Sequence, residues 1–400
     1  MNYIEEYRDI VGDEVISEIF RKSRGLYGKK VLHVNSSYQG GGVAEILNHL
    51  APLMSDLGIE VDWRVIHGHH DFFNVTKKFH NALQGEEINF SELKRSVYTD
   101  TNKKFKSYSN IDHDIVIIHD PQPLPLIRYI KKRQPWIWRA HIDLSEPNEE
   151  VWDYLKQFVI RYDQVVYSAK DFVSNDVGVS SSIIHPSIDP LTVKNKEIDQ
   201  KTTDKYLNKY EIKKDKPIIS QISRFDKWKD PQGVIEVFDR VKEEIDCRLV
   251  LLGAMATDDP EGPRIYESVM ERTKDRDDIV VINKESDILV NVLQRVSSVI
   301  LQKSLKEGFG LTVTEALWKG SPVVASEVGG IPLQITDGES GFLVDPEDYD
   351  RVAERVVEIL ENPELGAKLG GSAQRQVKEH FLITQQLSSW LDVLKETLEC

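Results

Sequence analysis

Cysteine is scarce in this chain: two residues, Cys247 and Cys400, among 400. Cys247 lies in CRLVLLG, which reads as a buried strand, and no Cys-x-x-Cys pair occurs. Neither a disulfide framework nor a zinc knuckle is supported. Long apolar runs are missing as well. No stretch approaches the roughly 18 apolar residues of a spanning helix, and the start MNYIEEYRDI lacks the apolar centre of a signal peptide. Positive charge is in deficit, with 51 Lys and Arg against 66 Asp and Glu and a net charge of −15. Such a surface repels polyphosphate, so no nucleic-acid partner is expected, and an anionic ligand has to be held by a local positive pocket. Gly-x-Gly-x-x-Gly, Gly-x4-Gly-Lys-Ser/Thr, Gly-x-Ser-x-Gly and His-Glu-x-x-His are all absent. Nicotinamide cofactors and P-loop chemistry are therefore not indicated. The expectation is a cytoplasmic globular protein with no membrane partner.

What is present is alternation. Short apolar runs (KKVLHVNSS, GIEVDWRVIHG, HDIVIIHD, QPWIWRAHI, QVVYSA) are separated mostly by helical stretches, which implies a parallel sheet covered on both faces. The pattern restarts after a lysine-rich interval with PIISQIS, CRLVLLG, DIVVIN, SSVILQ, SPVVASE and GFLVD. At 400 residues the chain exceeds one hydrophobic core. The reading is α/β, with two Rossmann-like doubly wound domains: residues 1–190, a linker over 191–215, and 216–382. The home of the amphipathic segment 383–400 is not assigned by pattern. Ligands of open α/β sheets bind outside the carboxyl ends of the strands, and two such domains in tandem form a cleft.

Four stretches carry candidate chemistry. Gly40-Gly41-Gly42 follows a strand and opens a helix, where N–H groups can meet an anion; a plain tight turn is an equal reading. SRFDKWKDPQG puts Arg224 and Lys229 at the carboxyl end of the first strand of the second half, a cation pair suited to a diphosphate or simply a solvated loop. LKEGFGLTVTEALW flanks the turn Gly308-Phe309-Gly310 with Glu307 and Glu315 and opens a helix near Leu311 and Thr312. One carboxylate there can hold sugar hydroxyls and the other a ribose diol, leaving the helix end for phosphate. His141, in WRAHIDLSEPN, follows a strand and can contact a sugar hydroxyl, though a lone histidine is often structural. Asp112-His113-Asp114 resembles an Asp-x-Asp metal motif, but it precedes a strand instead of following one. HGHHD (67–71) has no supporting carboxylate pair. No metal site is assigned.

Together these residues resemble the retaining family-4 glycosyltransferases, which have the GT-B architecture. The most specific part is Glu307-x7-Glu315 within EGFGLTVTEALWKGSPVVAS, followed by VGGIPLQITDGESGFLVDP. IIHPSIDP resembles the segment that ends the family's first domain, although Ser187-Ile188 and Glu327 depart from the usual residues. The resemblance implies donor diphosphate on Arg224 and Lys229 and ribose on Glu315. It places donor sugar hydroxyls on Glu307 with the N–H groups of Phe309 and Gly310, brings Gly42 near the phosphate, and counts Gly41, Gly308, Leu311 and Thr312 among the donor contacts. His141 would lie at the donor sugar's outer hydroxyl. His141, Arg224, Lys229 and Glu307 are the catalytic candidates. Tyr38, Gln39, His141 and Asp143 are the acceptor-side candidates. The family's final helix typically crosses back to the first domain. HDPQPLPL and WRAHIDLSEPN further resemble the trehalose glycosyltransferring synthases. That implies a nucleoside-diphosphate glucose donor, uridine or adenosine, a free glucose acceptor, and an α,α-trehalose product. Another acceptor such as a sugar phosphate, an epimerase, a phosphorylase and a non-catalytic sugar-nucleotide sensor are the rivals. No cofactor is required by the chemistry; divalent-ion stimulation and a homodimer are left open.

Overall fold

The computed structural model describes residues 3–39, 41–174, 176–253 and 262–399. Gly40 and Cys400 lie outside them. The chain separates into two compact units, one of residues 1–187 with 383–400 and one of residues 188–382. The polar interval 191–215 is not a free linker but part of the second unit. Its helix Gln200–Lys209 buries Leu207, which packs with Ile212, Ile218 and Val292. Lysines cover the solvent face of this segment, and the spaced apolar residues beneath them set its home.

The first unit holds six parallel strands: β1 Lys30–Asn35, β2 Glu60–Val65, β3 Ile115–His119, β4 Trp136–Ala140, β5 Gln164–Tyr167 and β6 Ser180–Ile183. Their order is β2-β1-β3-β4-β5-β6. The central runs IVIIH and WIWRA are buried along their whole length, as strands covered on both faces must be. Strand β6 (SSSI) is a mostly exposed edge. A serine run carries no apolar signature, so periodicity does not find it. One face of the sheet packs a cluster rich in aromatics, including Phe72, Phe79, Tyr98, Trp138 and Phe158. The terminal helix Ile383–Glu399 packs against the helices Asp13–Ser23 and Gly42–Asp56, and its Trp390 ring stands nearly perpendicular to that of His33.

The second unit holds β7 Ile218–Ile222, β8 Arg248–Gly253, β9 Ile279–Asn283, β10 Val299–Gln302, β11 Val323–Ser326 and β12 Phe342–Val344. These too are parallel, in the order β12-β11-β10-β7-β8-β9. From β7 the chain builds outward to β9, then returns to β10 on the other side and builds toward β12. From neighbours β7 and β10 the chain thus proceeds toward opposite edges of the sheet, which makes the switch point where open α/β sheets bind ligands. No helix among the described residues is long and apolar enough to cross a membrane.

The helix Leu311–Trp318 runs into a turn at Gly320, and the helix Pro363–His380 packs on it with Gly370 against that turn. A Cβ on Gly370 would stand 1.9 Å from the Gly320 carbonyl oxygen. Gly370→Ala must therefore push the two helices apart. Overpacking of this kind costs about 1–3 kcal/mol, and a lowered thermal midpoint in calorimetry is the expected result.

Candidate active site

In the second unit the switch point brings two charged loops together. The loop after β7 carries Arg224 and Lys229, and the loop after β10 carries Glu307. Lys229 Nζ forms an ion pair with Glu307 Oε2, with both side chains nearly seven-eighths buried (13% and 12% exposed). The same oxygen accepts from Gln302 Nε2 and Ser304 Oγ, each at 3.3 Å, while Oε1 accepts the Gly308 N–H at 3.2 Å. An ammonium has three protons and a carboxylate about four acceptor sites. Lys229 therefore keeps donors for a second anion, and Glu307 keeps acceptor capacity chiefly on Oε1.

Neighbouring groups fix this pair. Buried Gln221 on β7 donates to the Lys229 carbonyl at 2.7 Å and accepts the Lys303 N–H at 2.9 Å, tying the two loops at their roots. Asp226 accepts from the backbone N–H groups of Trp228 and Lys229, forming a short 3-10 turn. Asp230 follows with φ +43, a left-handed conformation that costs energy for a residue with a Cβ. It caps the helix Pro231–Glu244 through the Gly233 N–H at 3.0 Å and pairs with Lys303, which is 1% exposed at its side chain and lies 4.0 Å over the Tyr349 ring. Arg224 projects outward with 53% of its side chain exposed and contacts Asp226 at 3.5 Å.

The Gly308-Phe309-Gly310 turn is held from behind. Phe309 is buried against Phe381, and Gly310 takes φ +84. Gln334 donates to the Phe309 carbonyl and accepts from Thr314 Oγ1 at 2.6 Å. Gly329, at φ +56, approaches so closely that a Cβ there would sit 1.9 Å from the Glu307 carbonyl oxygen, and the Gly330 N–H bonds the Gly308 carbonyl at 2.7 Å. The helix Leu311–Trp318 then starts with first-turn N–H groups, Leu311 and Thr312 among them, that have no intrahelical acceptor.

Glu315 is placed differently from its sequence neighbours. It is 3% exposed and directed into the unit, with Lys194 Nζ at 3.5 Å and Gln294 Nε2 at 3.4 Å. Lys319, one turn on, is held by Asn195 Oδ1 at 2.9 Å, Gln294 Oε1 at 2.7 Å and the Glu315 carbonyl at 3.2 Å. Burial pushes the Lys319 ammonium down to about 7, against the pull of Glu315.

In the first unit the candidates lie at the carboxyl ends of β1 and β4. After β1, Gly41 takes φ +86 ahead of the helix that Gly42 begins, Tyr38 packs edge-on to Trp63, and Gln39 donates its N–H to Ser37 Oγ. After β4, Asp143 closes a small turn by accepting the Ser145 N–H at 2.9 Å. His141 is not isolated. Its Nε2 lies 3.0 Å from Nδ1 of His119, whose Nε2 lies 3.0 Å from Nδ1 of His33. Beside this stack, Arg139 is fully buried, donates to the carbonyls of Val166 and Ile184, and is pushed down to about 9 by burial. Asp120, at φ +59, accepts the His141 N–H at 2.9 Å, and burial raises its carboxyl to about 7 despite that bond and Arg139.

Sequence reading did not single out His33, His119, Gln221, Gln302 and Gln334. Four of them share a signal, a polar side chain in or at the carboxyl end of an otherwise apolar strand, which a buried position tolerates only when it is paired. A polar cavity of about 590 Å³ lined by Leu144, Ser145, Glu146, Trp152, Lys156 and Asp176 adjoins the turn at Asp143, though none of the candidate residues lines it.

Residues 33–174 match the family model described as trehalose synthase, N-terminal domain, and residues 202–376 match glycosyl transferases group 1. A trehalose synthase of Thermococcus litoralis is 46% identical over 400 residues, 98% of this chain and 96% of its own. One from Rubrobacter xylanophilus is 39% identical over 406 residues, 99% and 97%. Among solved structures, a UDP-forming α,α-trehalose-phosphate synthase from Burkholderia xenovorans superposes with a TM-score of 0.71 over 93% of this chain and 99% of that one. At 17% identity this is a likeness of fold, that of the GT-B glycosyltransferases.

Two stability outcomes follow from the buried charges. Glu307→Gln leaves the Lys229 ammonium without its counter-charge. A loss of about 2 kcal/mol is expected in denaturant unfolding, less than the roughly 3–5 for a fully buried pair, and adding Lys229→Met should recover much of it. Asp120 binds its proton more tightly folded than unfolded, so its contribution to stability falls as pH rises from about 4 to 7. Asp120→Asn keeps the acceptor for the His141 N–H but cannot ionise. Unfolding midpoints across that range should decline less in the variant than in the parent.

Proposed function

Since this chain belongs to the trehalose synthase family of group 1 glycosyl transferases, we propose that it moves glucose from a nucleoside-diphosphate glucose to free glucose, giving α,α-trehalose with retention at the anomeric carbon. The observation that carries the proposal is the Lys229–Glu307 pair, which joins the loop after β7, the one that also bears Arg224, to the loop leading into the helix Leu311–Trp318 at the switch point of one sheet.

In this reading the second unit holds the donor. Arg224, exposed and forked, takes diphosphate oxygens in bidentate fashion. Lys229 bridges Glu307 and the phosphate with its remaining protons, and the N–H groups at Leu311 and Thr312 face the same charge. Glu307 Oε1 and the turn beside it take donor sugar hydroxyls. The ribose assignment to Glu315 requires its carboxylate to be shared with Lys194 and Gln294, whose contacts at 3.5 and 3.4 Å leave room for exchange. His141 in the first unit takes a sugar hydroxyl, with Tyr38, Gln39 and Asp143 as acceptor-side contacts.

As the bond between the anomeric carbon and the phosphate oxygen breaks, charge gathers on the leaving diphosphate, where these fixed donors stabilise it. The acceptor hydroxyl attacks from the same face, and its proton passes to the departing phosphate oxygen. Glu307, engaged by Lys229, Gln302 and Ser304, is not disposed as a covalent nucleophile, which favours same-face attack.

The deciding experiment supplies a panel of nucleoside-diphosphate glucoses with glucose or glucose phosphate and reads product linkage by NMR. Nucleoside diphosphate released in step with α,α-trehalose is the expected result. Release without glucose, or a phosphate-dependent reaction, overturns the reading. Arg224→Ala should lower turnover on the order of 10²–10³-fold, as loss of one preorganised donor does; near-normal turnover in that variant removes the clamp.

A further inference from the structure

We propose that His33 and His119 are positioning residues for His141. The three rings form a relay that commits His141 to carrying its proton on Nδ1, so that a neutral ring offers one N–H donor to a sugar oxygen. The inference rests on His141 being the sugar contact described above.

The relay follows from strand register. In the parallel sheet His33 of β1 stands opposite Ile117 of β3, and His119 of β3 stands opposite Arg139 of β4. His119 is two residues beyond Ile117, and His141 is two residues beyond Arg139. A period of two keeps all three histidines on one face, each a step closer to the carboxyl edge. The ring centroids are 5.3 Å apart at both steps, with interplanar angles of 29° and 18°.

Each nitrogen–nitrogen contact of 3.0 Å needs one proton between the partners. Burial beside the Arg139 guanidinium favours neutral rings. Burial pushes His33 down to about 3 and holds His119 and His141 well below their ordinary range, and the Arg139 guanidinium adds to the last two. Asp120, the nearby carboxyl, engages the His141 backbone N–H. Three neutral rings hold three protons, and the two contacts use two. Because each ring has one N–H, the protons must all point the same way. The third sits either on Nε2 of His33 or on Nδ1 of His141.

The two ends are not equivalent. Nε2 of His33 is buried and has no hydrogen-bond partner, and the Trp390 ring stands nearly perpendicular to that of His33, with ring centroids 6.4 Å apart. An orphaned buried N–H is rarer and costlier than an orphaned acceptor. The bare lone pair therefore stays inside, and the proton goes to His141 Nδ1 at the carboxyl edge. The His141 nitrogen left for ligand is then a donor and not a base.

Long-range 1H–15N correlation spectra of the full chain with 15N-labelled histidine test this directly, with His141→Asn assigning the signals. Protons on Nδ1 of all three rings are expected; a His141 proton on Nε2, or a charged His141 at neutral pH, overturns the proposal. The spectra need no substrate, so the relay and the transfer reaction stand or fall separately. Kinetics add a second readout. The Asn amide can replace an Nδ1–H donor, so His141→Asn should retain more kcat/KM than His141→Gln. His119→Phe, which keeps a ring but breaks the relay, should lower kcat/KM roughly 10- to 100-fold in the parent and add little in His141→Asn. An equal loss in both backgrounds contradicts the relay. If His119→Phe does not fold, the spectra of the parent still decide.

Discussion

The ion pair between Lys229 and Glu307 is the constraint on which the second unit's site depends. Two charges nearly seven-eighths buried are costly to desolvate unless each has the other and further hydrogen bonds. Gln302, Ser304 and the Gly308 N–H supply those bonds. The pair spans 78 residues of sequence and closes the loops after β7 and β10 against each other. Every other feature of the site refers to it. Gln221 ties the loop roots, Gly329 and Gly330 back the turn, and Asp226 sets the approach of Lys229. In the proposed reading, a phosphate at this corner would meet a Lys229 ammonium whose position is already fixed, which is the economy of preorganised electrostatics.

The first unit solves a different problem, how to keep polar groups dry at a sheet edge. His33, His119, His141, Arg139 and Asp120 gather at one face where strand after strand ends. Arg139 finds two carbonyls and keeps an unpaired Nε. Asp120 adopts a left-handed backbone to reach the His141 N–H. Burial drives the histidines and Asp120 toward their neutral forms, so the cluster is a network of hydrogen bonds more than of charges. Buried networks of this kind specify one arrangement when each member is paired.

Much of this was legible in the residues. Fully buried runs such as IVIIH and VILQ announce parallel strands, and the glycine turn ahead of LTVTEALW announces a helix start beside acids. What escaped had physical causes. Strand β6 is serine on an edge, with no apolar pattern to read. The lysine-rich interval hid Leu207 and Ile212 under its charge. Spacing located Lys229 and Glu307 but assigned them separate duties, phosphate and hydroxyl, because a contact 78 residues apart leaves no local trace. Glu315 sits on the inner side of a helix only eight residues long, too short for amphipathic periodicity to reveal which way its carboxylate points. His33 and His119 read as oddities within apolar strands until register set them side by side.

The terminal helix Ile383–Glu399 belongs to the first unit, yet the whole second unit, 188–382, is translated before it. Its Ile383, Leu387, Trp390, Leu391 and Leu394 are buried there, and Thr397 bonds the Gln164 amide of β5 at 2.6 Å. A growing chain on the ribosome can finish the second sheet while the first still shows the apolar bed where this helix will lie. Of the two units, the one that starts the chain is thus the later to be completed, reversing the usual vectorial order of domain folding.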